Sequence, residues 1–328
     1  MHATVTARSY IPTVSDSASE PTDEALKALF AWEGVDSVSK QPDLTAFKRR
    51  ARYTQSVWRD RQGFRMGLHK HNDVVRPIGS RLGRPHADRG DNFLYPEALD
   101  AVRHRLANHE PHQLLMTGRL WGDLLSSMPM CFNLFGECWA DHDQATTAMA
   151  ALRPEPPGKV EDVRFEWSPG RLDPRFLNNK SAFDVAFLLD DPSAGRGVVG
   201  VETKYHEHAN TESRPRADRL DRYLEVTEVS GAFHPGVEQK LIGTDLQQLW
   251  LDHLLVLSML QAPGEGWMWG RFVLVAPSRN PSFKDVAHRY QACLTDTATF
   301  AFVTIEDLMA AGVLSPPRRA AFEDRYLW

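Results

Sequence analysis

The strongest constraint on the fold is a pair of mainly apolar segments, residues 182–189 and 197–205, joined by a short turn-forming stretch. The first segment is apolar on both faces, which is typical of a central strand that helices cover on each side. The stretch between the segments, residues 190–196, reads Asp-Asp-Pro-Ser-Ala-Gly-Arg, a composition that favours a turn. The sequence therefore predicts an antiparallel hairpin.

Three charged residues stand in this hairpin. Asp184 lies within the first apolar segment, and a buried carboxylate needs a partner because leaving it bare is costly. If the hairpin is symmetric about Ser193, Asp184 faces Glu202 with the two Cβ atoms about 5 Å apart. A divalent cation between the two carboxylates would remove their repulsion. Lys204 shares the strand face of Glu202, where it can orient or deprotonate a water or stabilise a pentavalent phosphorane.

The rest of the chain supplies elements that frame this hairpin. The expected order is helix, three strands, helix and strand, then a further helix and strand, at about 113–138, 163–167, 182–189, 197–205, 244–260, 272–276, 283–294 and 299–304. Pro129 is expected to kink or divide the first of these helices. This order predicts a layered α/β or α+β core preceded by a helical N-terminal part.

Asp184, followed on the next strand by Glu202-Thr203-Lys204, resembles the PD-(D/E)xK signature of the restriction-endonuclease-like nuclease superfamily. The element order is similar to the common core of that superfamily. Residues 126–135 and 202–207 are similar to a bacterial group of uncharacterised restriction endonucleases within it. The resemblance implies an α/β restriction-endonuclease-like core, with a mixed central sheet flanked by helices and a helical N-terminal extension.

The resemblance also implies roles for individual residues. Asp184 and Glu202 would bind Mg²⁺ or Mn²⁺, Lys204 would be the catalytic lysine, and a metal-activated water would hydrolyse a phosphodiester. Glu137, on the preceding helix, is the candidate for a further metal ligand. Gln248, on the helix after the catalytic strands, is the remaining catalytic candidate. Asp252 stands where a Q-x-x-x-Y pattern would have its tyrosine, and Phe183 replaces the proline that often precedes the first aspartate.

Other interpretations of the same residues stay open. Asp184 and Glu202–Lys204 can be a buried ion-pair cluster, and the chain can be a catalytically inactive nuclease-like module that binds nucleic acid or has a structural role. The spacings His69-x-His71 and His206-x-His208 could instead build a transition-metal hydrolase. Glu166 lies in an alternating strand and is expected to face water.

Charge is unevenly distributed along the chain, whose net charge is -5. Residues 48–89 contain twelve Lys or Arg and three Asp, with Tyr53, Trp58 and Phe64 among them. Such a segment can bind a phosphate backbone and stack on bases, or its arginines can pair with acids elsewhere. Nucleic acid is thus the expected partner, with DNA favoured, and a homo-oligomer is possible.

Composition bounds the remaining possibilities. A length of 328 residues with 42% hydrophobic residues allows a large core, and the expected regions are a disordered leader (1–23), a basic helical or irregular region (24–111) and the nuclease-like core (112–328). Three cysteines without a C-x-x-C pattern exclude a cysteine zinc site and suggest a reducing compartment. No segment predicts a membrane span or a secretory signal, so the expected location is the cytoplasm.

Overall fold

The structure, a computed structural model, describes residues 20–31, 42–71, 74–152 and 158–328. The helices are α1 (Asp23–Ala28), α2 (Pro42–Arg61), α3 (Arg84–Ala87), α4 (Pro96–Ala107), α5 (Thr117–Gly122), α6 (Ser127–Ala140), α7 (His142–Leu152), α8 (Ala217–Ser230), α9 (Glu238–Leu241), α10 (Gln247–Gln261), α11 (Pro281–Gln291), α12 (Ile305–Ala310) and α13 (Pro316–Tyr326). The strands are β1 (Met66–His71), β2 (Val74–Leu82), β3 (Lys159–Trp167), β4 (Phe183–Asp191), β5 (Gly195–Thr203), β6 (Trp269–Ala276) and β7 (Phe300–Thr304).

A five-stranded mixed sheet in the order β3-β4-β5-β6-β7 forms the centre of the fold. Strand β4 is antiparallel to both of its neighbours, β3 and β5, whereas β5, β6 and β7 run parallel to one another. Helices α6 and α7 precede the three antiparallel strands, and α8–α10 lead from β5 to β6. The expected α/β architecture, with a mixed sheet flanked by helices, is confirmed.

Each face of the sheet packs against its own layer of helices. Val185, Phe187 and Val201 belong to one hydrophobic cluster together with residues of α4, α6 and α13. Ala186 and Val198 point to the other face and join a second cluster with residues of α8, α10 and α11. Because successive strand residues alternate between faces, residues 185–189 of β4 and 197–203 of β5 are buried by one layer or the other. No helix among the residues that the structure describes has the length and hydrophobicity needed to cross a membrane.

Two local expectations differ from the structure. The helix expected over 113–138 is two helices, α5 and α6, and Pro129 lies in the first turn of α6, where its missing N–H is harmless. The basic region over 24–111, expected to be helical or irregular, contains an antiparallel hairpin, β1–β2. Leu68 and Val75 are exposed in this hairpin, so the apolar alternation that would have revealed it is weak.

The hydrophobic packing extends across the expected boundary at 111/112. One hydrophobic cluster contains Val102 on α4, Phe135 on α6 and Tyr326 on α13, which come from both sides of that boundary. Most of the expected leader, residues 1–19, lies outside the described residues, whereas α1 begins at Asp23. The division of the chain into separate regions stays a prediction.

Candidate active site

A short turn holds the β4–β5 hairpin in the register that the sequence predicts. Asp191 Oδ1 accepts hydrogen bonds from the backbone N–H groups of Ser193 (2.7 Å) and Ala194 (2.9 Å). Pairs from Asp191↔Gly195 to Val185↔Val201 follow without a bulge. The ladder is therefore symmetric about Ser193.

The same symmetry sets Asp184 opposite Glu202 at the open end of the hairpin. Asp184 Oδ2 accepts hydrogen bonds from Thr203 N (2.8 Å) and Thr203 Oγ1 (2.6 Å). Within the described residues, Asp184 Oδ1 accepts no hydrogen bond. Burial, and then the charge of Glu202, raise the pKa of Asp184 to about 7. One carboxylate oxygen is thus anchored, and the other remains open to a cation.

Glu202, Lys204 and Gln248 form a triangle of polar contacts. Lys204 Nζ lies 2.7 Å from Glu202 Oε1 and donates to Gln248 Oε1 at 3.1 Å. Gln248 Nε2 donates to Glu202 Oε1 at 2.9 Å, so the first turn of α10 fixes both charged groups. Burial lowers the pKa of Lys204, but the charge and hydrogen bond of Glu202 outweigh it, and the pKa is raised above its ordinary value. Lys204 is held here as a cation.

Asp252 adds a buried carboxylate at the position where the sequence departs from the Q-x-x-x-Y pattern. It follows Gln248 by one helical turn on α10 and is 8% exposed. Among the described residues, its Oδ2 atom has no hydrogen-bond partner. Burial, and then the charge of Glu202, raise the pKa of Asp252 well above its ordinary value. The four-residue spacing from Gln248 was the sequence signal that could have found it.

Glu166 is a second acidic residue whose position differs from the expectation. The β3–β4 pairs Phe165↔Val185 and Trp167↔Phe183 set Glu166 opposite Asp184, so three neighbouring strands each contribute a carboxylate to one row. Burial, and then the charge of Asp184, raise the pKa of Glu166 well above its ordinary value. Glu166 therefore faces the acidic row rather than open water.

The backbone at Glu166 is also unusual. Its φ angle is 48°, a left-handed conformation that non-glycine residues seldom adopt. Its carbonyl oxygen accepts a hydrogen bond from Arg171 Nη2 at 2.7 Å, which helps to hold that conformation. Strained backbone of this kind is frequent at functional sites.

The structure does not bring Glu137 to this site. Its Oε2 accepts a hydrogen bond from Ser315 N at 2.8 Å, and its Oε1 lies 3.3 Å from Arg318 Nη1. Glu137 is six residues beyond Cys131, and Cys131 is the residue of α6 whose thiol lies against Thr203. With a rise of about 1.5 Å per residue, Glu137 is about 9 Å further along the helix. Its position does not support a metal-ligand role.

The two histidine pairs do not form a metal centre in the described part of the chain. His208 Nδ1 accepts a hydrogen bond from Lys48 Nζ at 2.8 Å, whereas His69 and His206 line a separate cavity. The side chain of His71 lies outside the described residues. Over the described ranges, no group of three His, Cys, Asp or Glu side chains is arranged to hold a metal ion. In the part of the chain that the structure describes, the histidine-hydrolase interpretation therefore has no geometric support.

The arginines of the basic segment are divided between two roles. Arg49 pairs with Asp23 at 2.6 Å, and Arg59 donates to backbone carbonyl oxygens, including Gly79 O at 2.9 Å. These arginines hold the N-terminal elements together. Arg84, by contrast, is mostly exposed and lies 3.4 Å from the exposed Asp88, four residues further along the chain.

The fold and this site define a class of proteins. A sheet whose adjacent antiparallel strands carry Asp184 and Glu202-x-Lys204 beneath a covering helix is the arrangement of metal-dependent nucleases with the PD-(D/E)xK signature. The family model described as the PD-(D/E)XK nuclease superfamily matches residues 42–328, nearly the whole chain. The chain belongs to that superfamily. Searches of curated proteins and of solved structures each found no significant match.

Proposed function

We propose that this protein is a metal-dependent nuclease that hydrolyses a phosphodiester bond of nucleic acid, with DNA as its substrate. The observation that carries the proposal is the placement of Asp184 opposite Glu202, with Lys204 Nζ 2.7 Å from Glu202 Oε1. Membership of a superfamily of nucleases supports it. The proposed cofactor is Mg²⁺ or Mn²⁺.

The carboxylate oxygens of Asp184 and Glu202 suit a divalent cation such as Mg²⁺ or Mn²⁺. Asp184 and Glu202 each have one oxygen engaged by protein groups, and hard divalent cations prefer carboxylate oxygens. Asp184 Oδ1 and Glu202 Oε2 would hold the ion, with water and substrate as its other ligands. Bound there, the ion would lower the pKa of a water molecule and supply the hydroxide that attacks phosphorus.

The other residues would position the reacting groups and stabilise the charge that develops during the reaction. Gln248 fixes the carboxylate of Glu202 and the ammonium of Lys204 relative to each other through its two amide atoms. Lys204 is then placed to orient the attacking water and to offset the negative charge that develops on the phosphoryl oxygens. Asp252 and Glu166 add two further carboxyl groups beside this centre, and a bound cation would favour their ionised forms.

The first test is cleavage of plasmid and single-stranded DNA by the full chain with Mg²⁺ or Mn²⁺. Asp184→Asn and Lys204→Ala are expected to reduce cleavage at least about a hundredfold. The first variant lacks a proposed metal ligand, and the second lacks the cation that would orient the attacking water. Asp190→Asn is the matched control, since Asp190 is an exposed acid at the far end of the same strand. Equal cleavage by wild type and both site variants would refute the assignment.

A metal titration tests the same site without catalysis. Calorimetry with Mn²⁺ is expected to show saturable binding that Asp184→Asn abolishes and Asp190→Asn preserves. Asp252→Asn is expected to weaken binding less than Asp184→Asn, because it removes a neighbouring charge rather than a ligand. Metal binding without cleavage of any DNA or RNA substrate would instead indicate a nuclease-like binding module.

A further inference from the structure

A small cavity lies next to the candidate active site, between the β1–β2 hairpin, the α5–α6 connection and the segment that follows Lys204. Its volume is about 200 Å³. Pockets for drug-sized ligands are roughly 300–1,000 Å³, so this cavity suits a single small group. Cationic, imidazole and acidic groups predominate in its lining, which consists of Arg52, His69, Ser80, Arg81, Arg119, Asp123, Leu125, Ser126, His206 and Glu207.

The charges of the lining favour an anion. Three arginines face two carboxylates, so the lining is cationic when its imidazoles are neutral. Arg81 pairs with Asp123 at 3.1 Å, and Arg119 lies 3.5 Å from Glu207. Because both acids are engaged by guanidinium groups, they are poor ligands for a metal cation. An oxyanion would instead meet the forked donors that arginine presents to phosphate.

His206 supplies a second and independent observation. In the described part of the chain, its Nε2 atom is buried and has no hydrogen-bond partner. A buried polar atom without a partner is costly. A bound anion would remove this cost, because its negative charge favours the protonated ring, whose Nε2–H then donates to an oxygen atom of the ligand. Burial, and then the positive charges of Arg52 and Lys48, lower the pKa of His206, which reflects the cationic surroundings of the ring.

The start of α6 is not itself the anion site. Glu207 Oε1 already accepts hydrogen bonds from Ser127 N (3.0 Å) and Ser127 Oγ (2.9 Å) at this helix terminus. Glu207 Oε2 accepts a hydrogen bond from Tyr205 N at 2.8 Å. Glu207 thus occupies this terminus, and the donors left to an anion belong to the arginine, histidine and serine side chains of the lining.

We infer that this cavity binds a phosphate group, held by Arg52, Arg81 and Arg119 together with His206. His206 is two residues beyond Lys204 on the same segment. Resting on the proposed nuclease function, we assign the phosphate to the nucleic acid substrate, at a position next to the one that is cleaved. Its source is either a terminal phosphate monoester or a phosphodiester of the backbone.

The test is a calorimetric titration of the full chain with inorganic phosphate, without divalent metal and at constant ionic strength. Saturable binding is expected for the wild type. Arg119→Gln and His206→Gln are each expected to weaken it about tenfold, the loss of one hydrogen bond to a charged group. Arg119 is 40% exposed in its side chain, so its replacement leaves the fold intact. Arg103→Gln, an exposed arginine on α4 outside the cavity, is the matched control.

The overturning result is the absence of saturable phosphate binding, or equal affinity in all four proteins. A competition experiment then identifies which part of the nucleic acid supplies the phosphate. Short DNA strands with and without a 5′- or 3′-phosphate are used to displace bound inorganic phosphate. Displacement only by phosphorylated ends supports a terminal monoester, and equal displacement supports a backbone phosphodiester. No displacement by any strand would overturn the assignment to nucleic acid.

Failure of this inference can be distinguished from failure of the proposed function. Phosphate binding needs neither metal nor cleavage, so a chain that binds phosphate but cuts nothing contradicts only the nuclease proposal. Cleavage that depends on Asp184 in a chain without phosphate binding contradicts only the cavity inference.

Discussion

At the scale of single residues, burial of polar groups is the recurrent feature of this protein. His253 is a fully buried residue in α10 whose two ring nitrogens each have a partner. Nδ1 lies 3.0 Å from Tyr290 Oη, and Nε2 lies 2.9 Å from Thr299 Oγ1. Burial lowers the pKa of His253 to about 3. Its ring is therefore neutral in the folded protein at any pH near neutrality.

This burial predicts a dependence of stability on pH. The unfolded chain takes up a proton at His253 below pH of about 6.5, whereas the folded chain does so only near pH 3. Stability is thus fully present above pH 6.5 and decreases as the pH falls towards 3. From pH 7 to pH 5, the free energy of unfolding of the wild type should fall about 2 kcal/mol more than that of His253→Gln.

Urea unfolding at the two pH values measures this difference. The exposed His288, replaced by Gln, is the control and should leave the wild-type pH dependence in place. Parallel pH curves for the wild type and His253→Gln would contradict the prediction.

Part of the candidate active site could be predicted from residue types alone. Asp184, Glu202 and Lys204 could be predicted because a carboxylate in an apolar strand is exceptional and a seven-residue connection makes its pairing partner calculable. Glu166 could not be found in this way. The connection from β3 to β4 is long and carries no turn signal that sets the register.

At the scale of elements, the close contact between α4 and α6 depends on a single glycine. Gly136 packs against α4, and a Cβ atom added there would lie 2.6 Å from the Cα atom of Ala98. Backbone atoms cannot yield as a flexible side chain can, so a larger residue must push the two helices apart. Glycine at this position is required by the approach of the helices rather than by its own conformation.

Gly136→Ala is therefore expected to destabilise the protein by about 1–3 kcal/mol, the usual cost of overpacking. Gly118→Ala is the matched control, because it also lies in a helix but has no atom within 4 Å of its added Cβ. That control should stabilise slightly, by roughly 0.5–1 kcal/mol, through helix propensity. Thermal unfolding of both variants measures the contrast, and similar melting temperatures for the two would contradict it.

The elements of the core were largely predictable, whereas those before it were not. The buried strands have continuous apolar runs and the helices between them have a clear period, so their order follows from local pattern. The β1–β2 hairpin has exposed apolar residues and Pro77 within a strand. Its pairing is supported by α2 and α5 rather than by its own alternation.

At the scale of the whole molecule, the last helix ties the N-terminal region to the rest. Arg325, on α13, is fully buried and donates to Asn92 O at 2.7 Å and Asn92 Oδ1 at 2.6 Å. Its Nε atom donates to Gln55 Oε1 at 3.1 Å, and its guanidinium lies 4.3 Å from the ring centroid of Trp58. A buried charge of this kind depends on every one of its partners.

A fragment of residues 112–328 is accordingly expected not to fold. It would leave Arg325 without Gln55 and Asn92, and would uncover the apolar cluster against which α4 packs. Removing the partners of a buried charge costs about 3–5 kcal/mol, and the uncovered apolar surface adds to that loss, against the roughly 5–15 kcal/mol that stabilises a typical domain. Far-ultraviolet circular dichroism and urea unfolding test this expectation against the full chain and against a chain that begins at Glu20. Cooperative unfolding of the 112–328 fragment would instead establish the boundary at 111/112.

The sequence by itself determined the central hairpin, the face that Asp184, Glu202 and Lys204 share, and the order of the core elements. Each of these depends on contacts between residues close together in the chain. Only the tertiary structure decided that Gln248 contacts both Glu202 and Lys204, that Glu137 turns towards Arg318, and that His206 meets three arginines in one cavity. Those contacts join residues 44 or more positions apart, and the packing of whole layers fixes them rather than any local pattern.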